Sequence, residues 1–430
     1  MNKIKKIIQE KVYQTPFIDT HEHLCEESER LEKSGDDDCW MDMLRPYLGD
    51  DLISAGLSQS EFEKTWRSET PLSEKWEIIS PYWNFVKNTG YTKAILISLK
   101  KLYDVDNISR DNLDLIQKKY LLFKKKGFYK TVLRNVANVK SCQVNSLAGK
   151  LFCETEYPDL LMQDISFVPM FVDKDSVLGE SVEQFSAPTG IKVYNIDDWY
   201  AVIDWYFEKY GKDAIAVKSQ NAYNREMDYE RVSKEKAIPV FMKRLNKEKM
   251  SPDEKKQLED HLFWYAVDKA TEYNLPIKLH TGYFAGANGM PMDRLKNISG
   301  ELTAMCMNAP KSKFVFMHMT YPYQNELTAI VKHHTNAHAS MCWAWIINTI
   351  AAKNFLKEFL VTSPSSKILT FGGDYGHVEA VVGHAEIARR GITQALTELV
   401  DEGWMGFNEV MELIEPIMYK NAERIFSSTI

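Results

Sequence analysis

Short apolar runs alternate with amphipathic stretches through most of the chain, and eight such runs can be assigned. Apolar runs of this length are typical of strands buried on both faces, whereas the stretches between them repeat apolar residues at helical spacing. The runs are Phe17–Asp19, Ser141–Asn145, Ile165–Val172, Ala214–Lys218, Pro276–His280, Phe314–His318, Ala337–Met341 and Ile368–Phe371. The helical stretches include Asp197–Tyr210, Glu254–Tyr273, Asn325–His334 and Trp345–Leu360. Eight strand–helix units predict the α/β class and a (β/α)₈ TIM barrel.

The stretch after the first strand, about residues 25–128, breaks this alternation. It contains no convincing core strand but several helical stripes, such as Trp76, Ile79, Trp83 and Val86. Its aromatic residues predict either a core for the insertion itself or a roof over a pocket. Because no repeat and no Pro/Gly-rich linker divides the chain, residues 1–430 are predicted to form one barrel domain with a large helical insertion.

Composition narrows the class of partner. The net charge of −7 leaves no basic excess to neutralise phosphates, so a nucleic-acid partner is not expected. Six cysteines without paired spacing are typical of a reducing compartment, and no apolar run approaches the ~18 residues of a membrane span. The basic amino terminus lacks the apolar core of a signal peptide. We therefore expect a cytoplasmic protein with a small-molecule substrate and no membrane partner, and a homo-oligomer is left open.

Histidines and carboxylates stand where several of these runs end. His21 and His23 are two apart at the end of the first strand, so they share one face, and Glu22 is expected on the other. His280 ends the fifth strand, His318 the sixth, and Asp374 follows the eighth. The carboxyl ends of barrel strands meet at one mouth. Imidazoles and a carboxylate gathered there predict a site for a divalent metal with room for water.

This arrangement, with His-x-His on strand 1, His on strands 5 and 6 and Asp on strand 8, resembles the amidohydrolase superfamily of metal-dependent barrels. Three segments, Val217–Ser219, Leu279–Gly282 and His318–Tyr323, are similar to the amidohydrolase-2 group. Within that group they look like the amidohydrolase-like domain fused to some glutamine synthetases. Residues Ile417–Phe426 also resemble the carboxyl-terminal helix of the group.

The resemblance implies that His21, His23, His280 and Asp374 bind one divalent metal, with Zn²⁺ preferred over Mn²⁺ or Fe²⁺. Metal-bound hydroxide would attack an amide, ester or lactone carbonyl of a small metabolite that bears a carboxylate. Asp374 would carry the proton to the leaving group. His318 would either be a further ligand or polarise the carbonyl, and the second role is favoured. The first alternative is a non-oxidative decarboxylase on the same site.

Lys218, at the end of the fourth strand, has three interpretations. It could be carboxylated and bridge two metals, as in parts of the superfamily, bind a substrate carboxylate as an ammonium, or extend out of the rim. The polar residues 219–221 predict an ammonium of ordinary pKa, which favours substrate binding and a single metal. Other candidate substrate-binding residues lie just beyond strand ends, at Tyr321, Trp343 and His377. Asp19 is a candidate partner for the ring of a metal-binding histidine.

A second likeness is to uronate isomerases. The long insertion, with Leu102–Val105 near its end, and the helix from Gln257 to Tyr273 are similar to that family. Two features differ, since uronate isomerases lack a histidine like His318 and have an arginine where this chain has Tyr375–His377. These differences favour the hydrolase, and an aldose–ketose isomerase of uronate type is the second alternative. A barrel that only binds a metabolite is a third.

Overall fold

The computed structural model describes residues 3–33, 38–145, 147, 150–286 and 290–427. Eight parallel strands pair in chain order as one sheet. They are β1 Phe17–Glu22, β2 Val139–Val144, β3 Leu161–Ser166, β4 Ala216–Ser219, β5 Ile277–Leu279, β6 Phe314–Phe316, β7 Ala337–Ser340 and β8 Ile368–Leu369. The two edges meet, because Thr20 N–H donates to the Phe371 carbonyl at 3.1 Å and Asp374 N–H donates to the His21 carbonyl at 2.9 Å. The predicted barrel is confirmed.

Helices surround the sheet. One precedes β1, and seven lie between β1 and β2: α1 Lys3–Gln14, α2 Glu27–Glu32, α3 Arg45–Ser54, α4 Gln59–Lys64, α5 Leu72–Val86, α6 Gly90–Tyr103, α7 Leu113–Phe123 and α8 Phe128–Lys130. The others are α9 Val182–Ser186, α10 Ile196–Tyr210, α11 Lys234–Leu245, α12 Pro252–Glu272, α13 Ile298–Asn308, α14 Gln324–His333, α15 Ala344–Ile347, α16 Thr349–Thr362, α17 Val378–Asp401, α18 Phe407–Glu415 and α19 Asn421–Ile425. Within the described ranges, no helix has the length and apolar character that crossing a membrane requires.

All eight predicted strands are present, but β3 lies earlier than the pattern indicated. The apolar run Ile165–Val172 was expected to form it, whereas the strand is Leu161–Ser166 and residues Val168–Met170 form a 3₁₀ turn. Pro169 has no N–H to donate to a neighbouring strand, so the second half of the run leaves the sheet. The prediction that residues 1–430 form one domain stays a prediction.

The barrel interior is apolar at one end and charged above it. Residues in or directly before the strands pack against α19 and Phe426 at this end: Ile18, Ile215, Ala216, Val315 and Leu369. Above this layer Lys278 Nζ lies 2.5 Å from Asp164 and donates to the carbonyl of Thr20 at 2.9 Å and to Gln143 at 3.1 Å. A buried charge is tolerated when paired in this way.

The insertion between β1 and β2 has a buried core and also reaches the barrel mouth. Trp40, Trp76 and Ile116 are buried in it. The side chain of Tyr47, on α3, donates its hydroxyl hydrogen to the carbonyl of Asp374. The insertion therefore has an internal core and also contacts the mouth of the barrel, and its role as a roof over a pocket stays a prediction.

Candidate metal centre at the carboxyl ends of the strands

Three donor atoms converge where β1 and β8 end. The Nε2 atoms of His21 and His23 are 3.3 Å apart, and each lies 3.2 Å from Oδ1 of Asp374. Donors that share one ion at about 2.1 Å in a tetrahedral arrangement are roughly 3.4 Å apart. The spacing of these three donors therefore fits one divalent metal ion.

The protonation states of this group also suit a metal. His23 Nδ1 lies 2.6 Å from the Asn145 carbonyl, which can only accept, so the hydrogen sits on Nδ1 and Nε2 presents its lone pair. Burial lowers the pKa of His21 well below its usual value. Burial alone would raise the pKa of Asp374, but its interactions with His21 and His23 hold it well below its usual value. A neutral His21 and an ionised Asp374 are the states that a metal needs.

His280, the fourth predicted ligand, lies beside His318 rather than in this group. Its Nδ1 is 2.9 Å from His318 Nε2, while its Nε2 is 2.7 Å from the Tyr283 carbonyl and His318 Nδ1 is 3.1 Å from the Cys342 carbonyl. Carbonyls accept only, so the outer nitrogen of each ring carries its hydrogen. Burial lowers the pKa of both residues, that of His318 to about 4. Nδ1 of His280 and Nε2 of His318 then direct their lone pairs towards each other, so the two neutral rings together form a site for a further cation.

The position of the ring hydrogen of His318 affects the choice between its two predicted roles. Polarising a substrate carbonyl needs an N–H on Nε2, but the contact to the Cys342 carbonyl places the hydrogen on Nδ1. The arrangement suits the other role considered for His318, a ligand. The metal-binding role of His280 stays a prediction, now through Nδ1 and beside His318.

Lys218 lies among these groups and is fully buried. Among the described residues its Nζ has no hydrogen-bond partner. The positive charge of Lys218 adds to burial in lowering the pKa of His21, His280 and His318. Burial lowers its pKa to about 8, against the smaller opposite effect of Asp374. The expectation of an ordinary pKa, drawn from the polar residues that follow it, is wrong, because burial in the barrel outweighs them.

The backbone is strained at this mouth. Several non-glycine residues there adopt left-handed conformations: His318 (φ 59°), Met319 (44°), Thr320 (52°), Trp343 (62°) and Asp374 (65°). Such conformations cost about 1–3 kcal/mol each and persist where surrounding contacts over-determine them, which is common at functional sites.

Aromatic rings cover the group from the insertion side. Trp343, a predicted pocket residue, is fully buried, with its ring 5.4 Å from that of His318 and 5.0 Å from that of Tyr47. Tyr91 stacks on the same pair of rings. Tyr321 lies farther out, with its ring 6.0 Å from Tyr283. The structure thus brings Trp343 to the candidate site and leaves Tyr321 at its edge.

His377 is placed elsewhere. It immediately precedes α17, and burial lowers its pKa to about 3, with Arg30 the next largest influence. Arg30 belongs to a buried cluster of the insertion, where it bonds Glu379 at 3.2 Å. His377 therefore lies with that cluster, and its predicted contact with substrate stays a prediction.

Two residues of the site were missed by the sequence analysis. The Cys342 sulfur lies within 4.8 Å of donor atoms of His318 and Asp374, and burial raises its pKa well above the usual value. It stands one residue beyond the predicted seventh strand, so the strand-end rule could have found it. Glu22 was expected on the face opposite Asp19, but the register of β1 shifts between them and their carboxyl groups meet. No sequence signal marked that shift.

Asp19 supports His21 differently from the prediction. Its Oδ1 accepts the backbone N–H of His21 at 3.1 Å, not a ring N–H. In the described part of the chain, His21 Nδ1 is buried without a hydrogen-bond partner. Asp19 thus fixes the backbone of a ligand.

Comparisons with known proteins give a family match for the carboxyl-terminal part of the chain. Residues 247–427 match the family model of amidohydrolases. Protein fluG of Emericella nidulans is 23% identical over 159 residues, which cover 37% of this chain but only 18% of that protein. The chain therefore spans under a fifth of the length of this relative.

Solved structures resemble the chain over nearly its whole length. Uronate isomerase from Thermotoga maritima has a TM-score of 0.75 at 15% identity, covering 99% of this chain and 98% of its own. Glucuronate isomerase from Caulobacter crescentus has 0.75 at 14%, covering 99% and 94%. A metal-dependent hydrolase candidate from Lactobacillus casei has 0.65 at 14%, covering 97% of both chains. The family match over residues 247–427 and the shared barrel confirm the resemblance to the amidohydrolase superfamily that the strand-end motifs indicated.

Proposed function

We propose that this enzyme is a metal-dependent hydrolase that cleaves an amide, ester or lactone bond in a small metabolite bearing a carboxylate. The observation that carries the proposal is the convergence of His21, His23 and Asp374, with donor atoms 3.2 to 3.3 Å apart. Zn²⁺ is the proposed ion, since two imidazoles and a carboxylate are a ligand set of catalytic zinc sites. A bound divalent ion lowers the pKa of water towards neutrality and polarises a carbonyl oxygen.

The residues of the chain supply the proton transfer and the binding. The ionised carboxylate of Asp374 takes a proton from the attacking water and passes it to the leaving group. The ammonium of Lys218 binds the carboxylate of the substrate, which would give this buried cation the partner it lacks among the described residues. His280 and His318 offer the lone pairs of their neutral rings as further metal ligands. Trp343 and Tyr47 keep bulk water away from the reacting groups.

Solvent labelling tests hydrolysis directly. Zn²⁺-loaded protein would be incubated with N-acyl amino acids and carboxylate-bearing lactones in ¹⁸O-water, and the product acids analysed by mass spectrometry. We expect one solvent oxygen in the new carboxyl group, loss of turnover on chelation, and a fall of about 1000-fold or more in Asp374→Asn. The exposed Asp253→Asn variant is the matched control. A product that has lost carbon dioxide and gained no oxygen would replace the hydrolase by a decarboxylase.

An aldose–ketose isomerase is the second candidate, and one observation favours it. The uronate isomerase of Thermotoga maritima shares the fold over 99% of this chain, the insertion included. Glucuronate and galacturonate would be followed by proton NMR for ketose formation. Under the hydrolase proposal no ketose forms above the buffer rate. Turnover near ~1–10³ s⁻¹, the ordinary enzymic range, would establish the isomerase instead.

A further inference from the structure

Two backbone N–H groups that flank Asp374 donate to buried carboxyl groups of β1. Gly373 N–H donates to Asp19 Oδ1 at 3.1 Å, and Tyr375 N–H donates to Glu22 Oε2 at 2.7 Å. The candidate ligand Asp374 is therefore held on both sides by side chains from the strand that carries the two ligand histidines.

The two carboxyl groups form one unit. Asp19 and Glu22 are both fully buried with their carboxyl groups close together, and each accepts a backbone N–H of the loop that carries Asp374. Asp19 Oδ1 also accepts the backbone N–H of His21 at 3.1 Å. One carboxyl pair therefore binds backbone groups on both ligand-bearing segments.

The backbone of the loop is built around this contact. A Cβ added to Gly373 would lie 1.8 Å from Glu22 Oε1, so only glycine lets the carboxyl approach the loop. Asp374 itself has a φ of 65°, a left-handed conformation that persists only when surrounding bonds enforce it.

We infer that Asp19 and Glu22 form a carboxyl clamp, a positioning pair that holds Asp374 and His21 in the geometry that binds the metal. The inference rests on the proposed function in one respect, namely that the positioned residues Asp374 and His21 are metal ligands. The clamp requires the hydrogen bonds that Asp19 accepts from the backbone of His21 and Gly373 and the one that Glu22 accepts from Tyr375.

Two substitutions at Glu22 test the second of these requirements. Glutamine can still accept from Tyr375, so Glu22→Gln preserves the clamp, whereas Glu22→Met fills the space without hydrogen bonds. Zn²⁺ affinity of the metal-free protein would be measured by competition with a chromophoric chelator. We expect Glu22→Gln to bind within about twofold of wild type and Glu22→Met about 10–100-fold more weakly, the range for residues that orient ligands. Gly373→Ala, which forces the loop away from an unaltered carboxyl, should weaken binding to a similar degree and serves if Glu22→Met does not fold.

Hydrogen exchange of the peptide spanning residues 371–377 tests the clamp in the metal-free protein. It should be faster in Glu22→Met and Gly373→Ala and unchanged in Glu22→Gln, with the α14 peptide unaffected in all three. Equal losses in Glu22→Gln and Glu22→Met would overturn the inference, as would wild-type affinity and exchange in Glu22→Met. If wild-type protein binds no Zn²⁺ but the exchange pattern holds, the clamp stands and the proposed function fails.

Discussion

At the scale of single residues, Lys218 brings a positive charge into the barrel mouth. Its side chain is fully buried, and within the described ranges no hydrogen-bond acceptor meets its Nζ. Burial lowers its pKa to about 8, so the ammonium form still dominates at neutral pH but is lost within a mildly alkaline range. A substrate carboxylate would pair with the charged form only.

This titration gives a pH dependence with a definite sign. Because the ammonium binds the carboxylate and the neutral amine does not, KM for carboxylate-bearing substrates should be constant below pH 8 and rise up to tenfold per unit above it. Lys218→Met should remove this dependence and raise KM by roughly 10–100-fold, the loss of a charge-assisted buried hydrogen bond. KM would be measured from pH 6 to 9.5.

Metal analysis of the same variant decides between the interpretations of Lys218. If the side chain binds substrate, Lys218→Met keeps the zinc content of wild type. Loss of zinc from the variant, with a carbamate on the wild-type lysine in its mass spectrum, would show that Lys218 bridges two ions. Lys249→Met, at an exposed lysine, controls for the loss of one positive charge.

At the scale of elements, the strands were predictable and their local irregularities were not. Parallel strands buried on both faces read as apolar runs, and the polar residues that end them, such as His21 and His280, therefore stand out. The early end of β3 depended on Pro169, and the meeting of Glu22 with Asp19 depended on a register shift. Both follow from pairing with neighbouring strands, which a one-dimensional pattern does not contain.

Helix α3 of the insertion contacts the loop after β8 that carries Asp374. Its Tyr47 donates a hydrogen bond to the backbone carbonyl of Asp374, 327 positions along the chain. Tyr47→Phe removes the hydroxyl and keeps the stacked rings, so we expect the fold to be retained and kcat/KM to fall about 5–10-fold, the effect of one neutral hydrogen bond. Tyr91→Phe is the matched control, since its ring joins the same stack. Equal effects of both substitutions would assign the loss to the aromatic packing rather than to Asp374.

At the scale of the whole molecule, the insertion and the barrel share a buried ion cluster. Arg30, on α2, donates to Tyr120 at 2.6 Å and pairs with Glu379 of α17 at 3.2 Å. Arg30 and Glu379 are each 2% exposed at the side chain. The sequence predicted an insertion and its helices, but not this cluster, because its members are up to 349 positions apart and carry no pattern of their own.

This cluster should show in the stability of the molecule. Arg30→Met leaves the carboxylate of Glu379 buried and unpaired, so we expect a loss of about 3–5 kcal/mol in the free energy of unfolding. The Arg30→Met, Glu379→Met double variant removes both charges and should be more stable than Arg30→Met alone, and the loss in the double variant should differ from the sum of the two single losses by a coupling of roughly 0.5–3 kcal/mol. Arg110→Met, which breaks the exposed Arg110–Glu77 pair within the insertion, should cost less than about 1 kcal/mol. Urea unfolding of wild type, Arg30→Met, Glu379→Met and the double variant gives the cycle, and Arg110→Met is its control. Strictly additive losses in the double variant would mean that Arg30 and Glu379 stabilise the molecule independently, and that the insertion is fastened to the barrel by its apolar contacts instead.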